Sequence, residues 1–481
     1  MQSEIISVII FLVIISNLIS VGIVIFVEKR EVGATWAWLF VILLVPIAGL
    51  FFYIFFGKQL KHKNIEQTVT DKRYLVRSDQ QIKLLQKSDV YDNHLFKKYS
   101  KLLLMNLESA DALITMNNDI GILKDGQEKF KALFKDISAA KKEINIQYYT
   151  IKPDSLGIKL RDELTKKAQE GIKVRVMFDA IGSRGMSTTF FKELILHGGE
   201  VEVFFPSFLK IFNFHVNHRN HRKLCIIDSK VAYIGGFNVG NDYLGLSKKF
   251  GYWRDTHCRI MGESVHAFQD LFLLDWYRAT KKNPIKSLQN SFLIKEHKGD
   301  CTVQVISSGP NSETQHIKNM FIMLIMSAER TVYIQTPYFI PDTSFMDACK
   351  IISLAGVDIR IMIPKSNYNS IVYWANSGYA GELLKYGAKI LLYEKGFLHA
   401  KTIVVDQEVA SVGTTNIDVR SFGLNFEVNA IFYDQKVAEQ LHNLFIEDSK
   451  ESSELTIEKY NQRSVKDKFK EAMIRLFSPI L

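Results

Sequence analysis

The chain predicts an α/β fold of two homologous domains, each a mixed sheet flanked by helices. They are expected to pack about a pseudo-two-fold axis behind an N-terminal two-helix transmembrane hairpin. Three observations predict this. A long pattern is written twice: His221 opens HRKLCIID, six residues, GGFN, and His399 opens HAKTIVVD, six residues, GTTN. Both copies spell His, one residue, Lys, four residues, Asp, six residues, Gly, two residues, Asn. The segments leading to each copy alternate helix-period and strand-period apolar patterns in one common order. Two uncharged apolar runs stand at the N-terminus. At 481 residues the chain exceeds one ordinary core.

The apolar runs are residues 5–27 and 34–56. Each is long enough, at about 1.5 Å per residue, to cross a hydrocarbon layer of roughly 30 Å. Met1, Gln2, Ser3 and Glu4 carry no positive charge and no small-x-small cleavage site follows, so the first run is expected to stay as an anchor. The link EKREVG makes the pair a hairpin with both ends on one side. Lys58, Lys61, Lys63, Lys72 and Arg73 follow it, against Lys29 and Arg30 in the link. The positive-inside rule then expects a multi-pass protein of the cell membrane with its large domains in the cytoplasm.

Residues 58–125 read as a basic connector. The formal net charge is +10, which suits nucleic acid or anionic lipid equally. The hairpin tips the expectation to lipid, with no nucleic acid, and the stretch Lys58–Lys101 is expected to rest on the membrane, at about 1 kcal/mol per cation. Cys225, Cys258, Cys301 and Cys349 lack paired short spacing and suit reduced thiols.

The two halves are expected at 126–298 and 299–481. FKALFKDISAAKKEINIQYYTIKPDS (130–155) matches FIMLIMSAERTVYIQTPYFIPDTS (321–344): a helix, a strand, then a Pro-Asp turn. EGIKVRVMFD (170–179) matches AGVDIRIMIP (355–364), with Gly171 and Gly356 as helix stops. HGGEVEVFF (197–205) matches YGAKILLY (386–393), and the repeated His pattern follows in both. In the tail, Phe469, Met473, Ile474 and Phe477 fall at helical spacing near Lys466, Lys468 and Lys470, a segment expected to dock on the protein more than on the membrane.

The repeated residues supply a nucleophile or base, a fixed cation and an amide, the parts of a metal-free phosphate-transfer site. Residues two apart on a strand share a face, so His399 and Lys401 are expected to project together, as are His221 and Lys223. Asp228 and Asp406 complete the catalytic set. Their odd offset from the His predicts that they brace the fold or the Lys more than they touch substrate. Asn238 and Asn416 follow Gly-containing bends that allow close approach of a phosphate. His215 and His218 have no counterparts in the second half and read as loop residues near a headgroup. Tyr148, Tyr149, Tyr338 and Phe339 end the first strands and are candidates for an apolar pocket wall or for ordinary core.

The duplicated His-x-Lys-x4-Asp pattern with its Gly-x-x-Asn tail resembles the phospholipase D superfamily. The apolar pair, with ATWAWLFVILLVPIAGLFFYIFFGK, and the C-terminal RLFSPIL are similar to bacterial cardiolipin synthases, over essentially the whole chain. The chain departs from the family pattern at Gly236 and Thr414, where many members carry Ser. The resemblance implies that one His attacks a phosphodiester to form a phosphohistidine while the other protonates the leaving alcohol and deprotonates the incoming one. It favours His221 as nucleophile and His399 as acid/base. It implies that Lys223, Lys401, Asn238 and Asn416 hold the nonbridging oxygens, with no cofactor or metal. It also implies crosswise pairing of Glu427 with His221 and Asp255 with His399. The implied reaction joins two phosphatidylglycerols into cardiolipin plus glycerol. The alternatives are a phospholipase D-type hydrolase, another phosphatidyltransferase or a membrane-tethered nuclease.

Overall fold

Alternation along the strands decides the layering. In β6 (Leu224–Ile227), Leu224 and Ile226 join one apolar cluster while Cys225 and Ile227 join another. A strand buried on both faces needs helices on both. The computed structural model describes residues 2–27, 32–53, 79, 81–82, 94–205, 218–281, 299–312, 314–365 and 370–476. Helices Val265–Thr280 and Gln435–Lys450 cover one face of its large mixed sheet. Helices Gly126–Ala139 and Ser155–Gln169 cover the other face over the first half, and His316–Met326 and Thr343–Leu354 over the second.

The first half contributes β1 (Thr115–Leu123), β2 (Glu143–Tyr148), β3 (Lys173–Asp179), β4 (Glu200–Phe204), β5 (Arg219–Asn220), β6, β7 (Val231–Gly235), β8 (Tyr252–Arg254) and β9 (His257–Gly262). The second contributes β10 (Cys301–Ser308), β11 (Thr331–Gln335), β12 (Phe339–Ile340), β13 (Asp358–Pro364), β14 (Lys389–Tyr393), β15 (Gly396–Leu398), β16 (Thr402–Val405), β17 (Val409–Gly413), β18 (Ile417–Asp418), β19 (Asn425–Tyr433) and β20 (Ser452–Leu455). β1 and β10 pair antiparallel at the centre. Outward from β1 run β9, β7, β6, β2, β3 and β4; outward from β10 run β19, β17, β16, β11, β13, β14 and then β20. The β2–β3–β4 and β11–β13–β14 ladders are parallel.

Local signals explain the boundaries. The Pro-Asp turns become helix N-caps: Asp154 accepts from Gly157 N–H at 3.2 Å and Asp342 from Phe345 N–H at 3.0 Å. Gly171 and Gly356 end helices at φ +81° and +93°, where only glycine is unstrained. All four cysteines are buried and free.

Several expectations are corrected. The supposed connector does not run to 125, because β1 lies at the sheet centre and Leu102, Leu103 and Leu107 of helix Ser100–Ala110 are buried in the core. Lys98 does not face a membrane; it is 11% exposed and bonds Asp406 at 2.9 Å and Glu408 at 2.8 Å. Most of Lys58–Lys101 lies outside the described residues. Glu4–Val27 is one apolar helix of 24 residues. The second apolar run is not one continuous helix: Val32–Leu44 and Pro46–Phe52 are separated at Val45, because Pro46 has no N–H to continue the ladder. The two apolar segments touch through Val24, Leu39, Ile42 and Tyr53. In the tail, helix Val465–Leu476 packs on helix Ser370–Leu383, with Arg475 bonding Glu382 at 3.0 Å and Lys470 over the Trp374 ring. Ile474 docks, but Phe469 and Met473 are 66% and 41% exposed, and Phe477 lies outside the described residues.

Candidate active site

Neither repeated His-x-Lys triplet sits in a regular strand. His221–Lys223 join β5 to β6 and His399–Lys401 join β15 to β16. The break lets both imidazoles open onto one cleft of about 490 Å³. Lys223 and Lys401 are buried, and each ammonium donates to the carbonyl oxygen of its own His, at 2.7 and 2.6 Å. Asn238 and Asn416 line the same cleft. The Asn238 carboxamide is spoken for by Thr150 N–H at 3.1 Å and by Tyr243 Oη at 2.9 Å, whereas Asn416 Oδ1 has no hydrogen-bond partner among the described residues.

Each imidazole takes its acid from the opposite half. His221 Nδ1 lies 2.9 Å from Glu427 Oε1, and His399 Nδ1 lies 2.7 Å from Asp255 Oδ2. A carboxylate only accepts, so Nδ1 carries the hydrogen and Nε2 keeps its lone pair. Burial lowers the pKa of His221 to about 4, with Lys223 and Lys401 adding to the fall and Glu427 opposing it. Burial and Lys401 lower that of His399 to about 3 against the pull of Asp255. Burial likewise brings Lys223 down to about 7 and Lys401 to about 8.

Gly236 and Thr414 now have a physical reading. A Cβ at Gly236 would come 2.1 Å from Asp255 Oδ1, so only glycine leaves that carboxylate its place. Thr414 Oγ1 instead donates to Glu427 Oε2 at 2.5 Å. The motif aspartates stand away from the cleft, at the turns after β6 and β16. Asp228 accepts from the backbone N–H groups of Lys141, Lys142 and Glu143 at 2.7–3.0 Å. Asp406 does the same for Glu329, Arg330 and Thr331 at 2.8–2.9 Å. Each pins the loop that feeds the next strand over.

A buried layer that holds the acids leaves no mark in the His-x-Lys spacing. Arg222 donates to the Glu427 carbonyl oxygen at 3.2 Å and to Asp275 at 2.6 Å; Gln147 of β2 also bonds Asp275, at 2.8 Å. Arg254 grips the Asp255 carbonyl oxygen and bonds Asp448 at 2.8 Å, and Gln335 of β11 bonds Asp448 at 2.8 Å. The matching places of Gln147 and Gln335 in the repeat were the available signal.

The cleft is unlike at its two histidines. His399 is flanked by Trp253 and Phe397, with ring centroids 5.2 and 5.9 Å away. His221 is flanked by Tyr149 at 4.9 Å. Tyr338 also lines the cleft, whereas Tyr148 and Phe339 are core, with the Tyr148 hydroxyl accepting from buried Lys129 at 2.8 Å. His218 is buried, and His215 lies outside the described residues. Arg219 and Arg420 line the cleft as well. Arg219 stands two residues before His221, the spacing that also links His to Lys; Arg420 has no repeat signal, because Asp242 holds the matching place.

This geometry can be set beside known proteins. A family model described as cardiolipin synthase, PLD-like domain, matches residues 133–269 and 321–449. A model described as phospholipase D-nuclease N-terminal matches residues 6–58. The chain is 47% identical to the major cardiolipin synthase of Bacillus subtilis (strain 168), over 99% of each chain. It is 47% identical to a cardiolipin synthase of Listeria welshimeri, over 97% of this chain and 98% of that one. The crystal structure of a phosphatidylserine synthase from Haemophilus influenzae aligns with a TM-score of 0.60 at 16% identity, covering 79% of this chain and all of that one, which speaks to fold alone. With both halves matched by one family model and relatives nearly half identical from end to end, the chain belongs to the cardiolipin synthases of the phospholipase D-like family.

Proposed function

We propose that the chain is a phosphatidyltransferase that joins two phosphatidylglycerols into cardiolipin and releases glycerol through a phosphohistidine. One observation carries the mechanism: two imidazoles, each backed by a carboxylate from the other half, open onto a single cleft. His221 Nε2 attacks the phosphorus, the N–P bond forms, and the P–O bond to glycerol breaks. The departing oxygen takes a proton from His399 Nε2. In the second half-reaction the hydroxyl of another phosphatidylglycerol gives its proton to His399 while its oxygen attacks phosphorus. The N–P bond then breaks and cardiolipin leaves.

Both imidazoles are held neutral by burial and by two nearby ammonium groups, which suits a nucleophile but not an acid. A bound phosphodiester supplies the negative charge that offsets those ammonium groups and lets His399 take up its proton. Lys223, Lys401 and Asn416 steady the nonbridging oxygens, and Asn238, expected to do the same, is held at the cleft wall by Thr150 and Tyr243. Lys401→Met is expected to remove about 3 kcal/mol of transition-state stabilisation, or about 10²–10³-fold in turnover. Cardiolipin formation measured at saturating phosphatidylglycerol reads this.

The matched outward strand orders support a pseudo-two-fold relation between the half opened by β1 and the half opened by β10, with those two strands at the axis. The helix Glu4–Val27 and its packing on the second apolar segment support a membrane hairpin over residues 1–57, and the cations beyond it support a cytoplasmic cleft. Substrate and product are then both membrane lipids. Membranes holding the chain, given labelled phosphatidylglycerol, are expected to yield cardiolipin and glycerol in equal amounts. Phosphatidic acid with no cardiolipin would replace this reading with a hydrolase.

A further inference from the structure

One phosphodiester needs one set of cations, and the duplicated lysines supply it. Among the described residues, two cations outside the repeated pattern line the cleft. Arg219 and Arg420 both line it with half-buried side chains, and the places that match them in the other half hold Phe397 and Asp242. They therefore do not follow from the duplication. The Arg219 guanidinium is held below the ordinary arginine range, first by burial and next by the Arg420 charge, with Asp179 and Tyr149 pulling the other way. Asp418 lines the same wall and offsets part of that charge, though burial pushes its own carboxyl up to about 6. Two guanidinium groups sharing a half-buried wall repel each other even with Asp179, Tyr149 and Asp418 beside them, and a bound anion relieves that repulsion further. Their planar forks match phosphate oxygens in pairs.

We propose that Arg219 and Arg420 form a second phosphate seat, which holds the phosphodiester of the acceptor lipid while its free hydroxyl attacks the phosphohistidine. This rests on the phosphatidyl-transfer reading above. The donor phosphorus is the atom attacked, and the proposed mechanism gives its oxygens to the duplicated set behind the two histidines, Lys223 and Lys401, together with Asn416. The acceptor brings a second phosphate, and in the product the two are joined by a single glycerol, so both fall within one cleft. Water and glycerol carry no phosphate. The seat therefore favours the lipid acceptor over both.

The test compares two acceptors on the full chain reconstituted in phosphatidylglycerol vesicles. Labelled glycerol entering phosphatidylglycerol reports transfer to a neutral acceptor; cardiolipin reports transfer to a phosphate-bearing one. Arg219→Gln and Arg420→Gln are each expected to lower the ratio of cardiolipin formation to glycerol exchange by about tenfold or more, the scale of a lost charge-assisted hydrogen bond. Arg420→Lys keeps the charge and is expected to restore part of that ratio. A smaller change in the ratio, or both rates falling in step, overturns the seat. Failure of the phosphatidyl-transfer reading shows separately, as an unaltered chain that makes no cardiolipin.

Discussion

A chain carrying His399→Ala is expected to make cardiolipin at least about 10⁴-fold more slowly than the unaltered chain, and His221→Ala equally so. The two-step cycle uses one imidazole as nucleophile and the other as proton carrier. Asp255 and Glu427 are committed to the Nδ1 atoms. Each variant is compared after its unfolding midpoint is measured, since loss of a ring leaves Asp255 or Glu427 without its Nδ1 partner. The two proteins should differ in one respect. Without the proton carrier, labelled phosphatidylglycerol still places label on the remaining His, slowly, and peptide mapping locates it. Without the nucleophile no label is held. Turnover by either variant within about tenfold of normal would break the two-histidine cycle.

The second large effect is on stability. Asp275 is fully buried, and although burial alone would raise its pKa, Arg222 and Arg278 hold its carboxyl below the ordinary carboxylate range. It binds Arg222 at 2.6 Å, Arg278 at 2.8 Å, Gln147 at 2.8 Å and Asn220 at 3.0 Å. Asp275→Ala leaves the Arg222 charge buried without its counter-ion, and the expected cost is about 3–5 kcal/mol. Thermal unfolding of the solubilised full chain checks it. Asp275→Asn keeps the shape and one acceptor and should cost less. Activity should fall further than stability alone explains, because Arg222 also holds the backbone of Glu427. Unchanged unfolding in Asp275→Ala would show that Arg222 finds another partner.

How much of this was legible depended on whether a residue was repeated. The duplication carried the histidines and asparagines to one cleft with the lysines buried behind their histidines, and the resemblance carried the crosswise acids. The strand reading was carried through each His-x-Lys triplet, whereas Leu224–Ile227 and Thr402–Val405 begin directly after them, and the projection of each triplet comes from an interruption between two short strands. β1 went unread because MNNDIGIL mixes polar and apolar residues at the sheet centre, where tertiary pairing outweighs propensity. The proline inside the second apolar run was a visible break signal that the overall hydrophobicity masked. Arg222 and Arg254 were hidden for another reason. Each works through a backbone carbonyl and a distant helix, and no spacing along one strand encodes that.

The crosswise pairing has a consequence for ancestry. A lone half, cut from its companion, would own an imidazole without its carboxylate and a carboxylate without its imidazole. It would function only by self-association, as two identical subunits trading acids. Joining such subunits in one polypeptide removes the demand for identity, so an arginine on one side and a phenylalanine on the other can drift apart. Division of labour between giving and receiving partners is what that freedom permits.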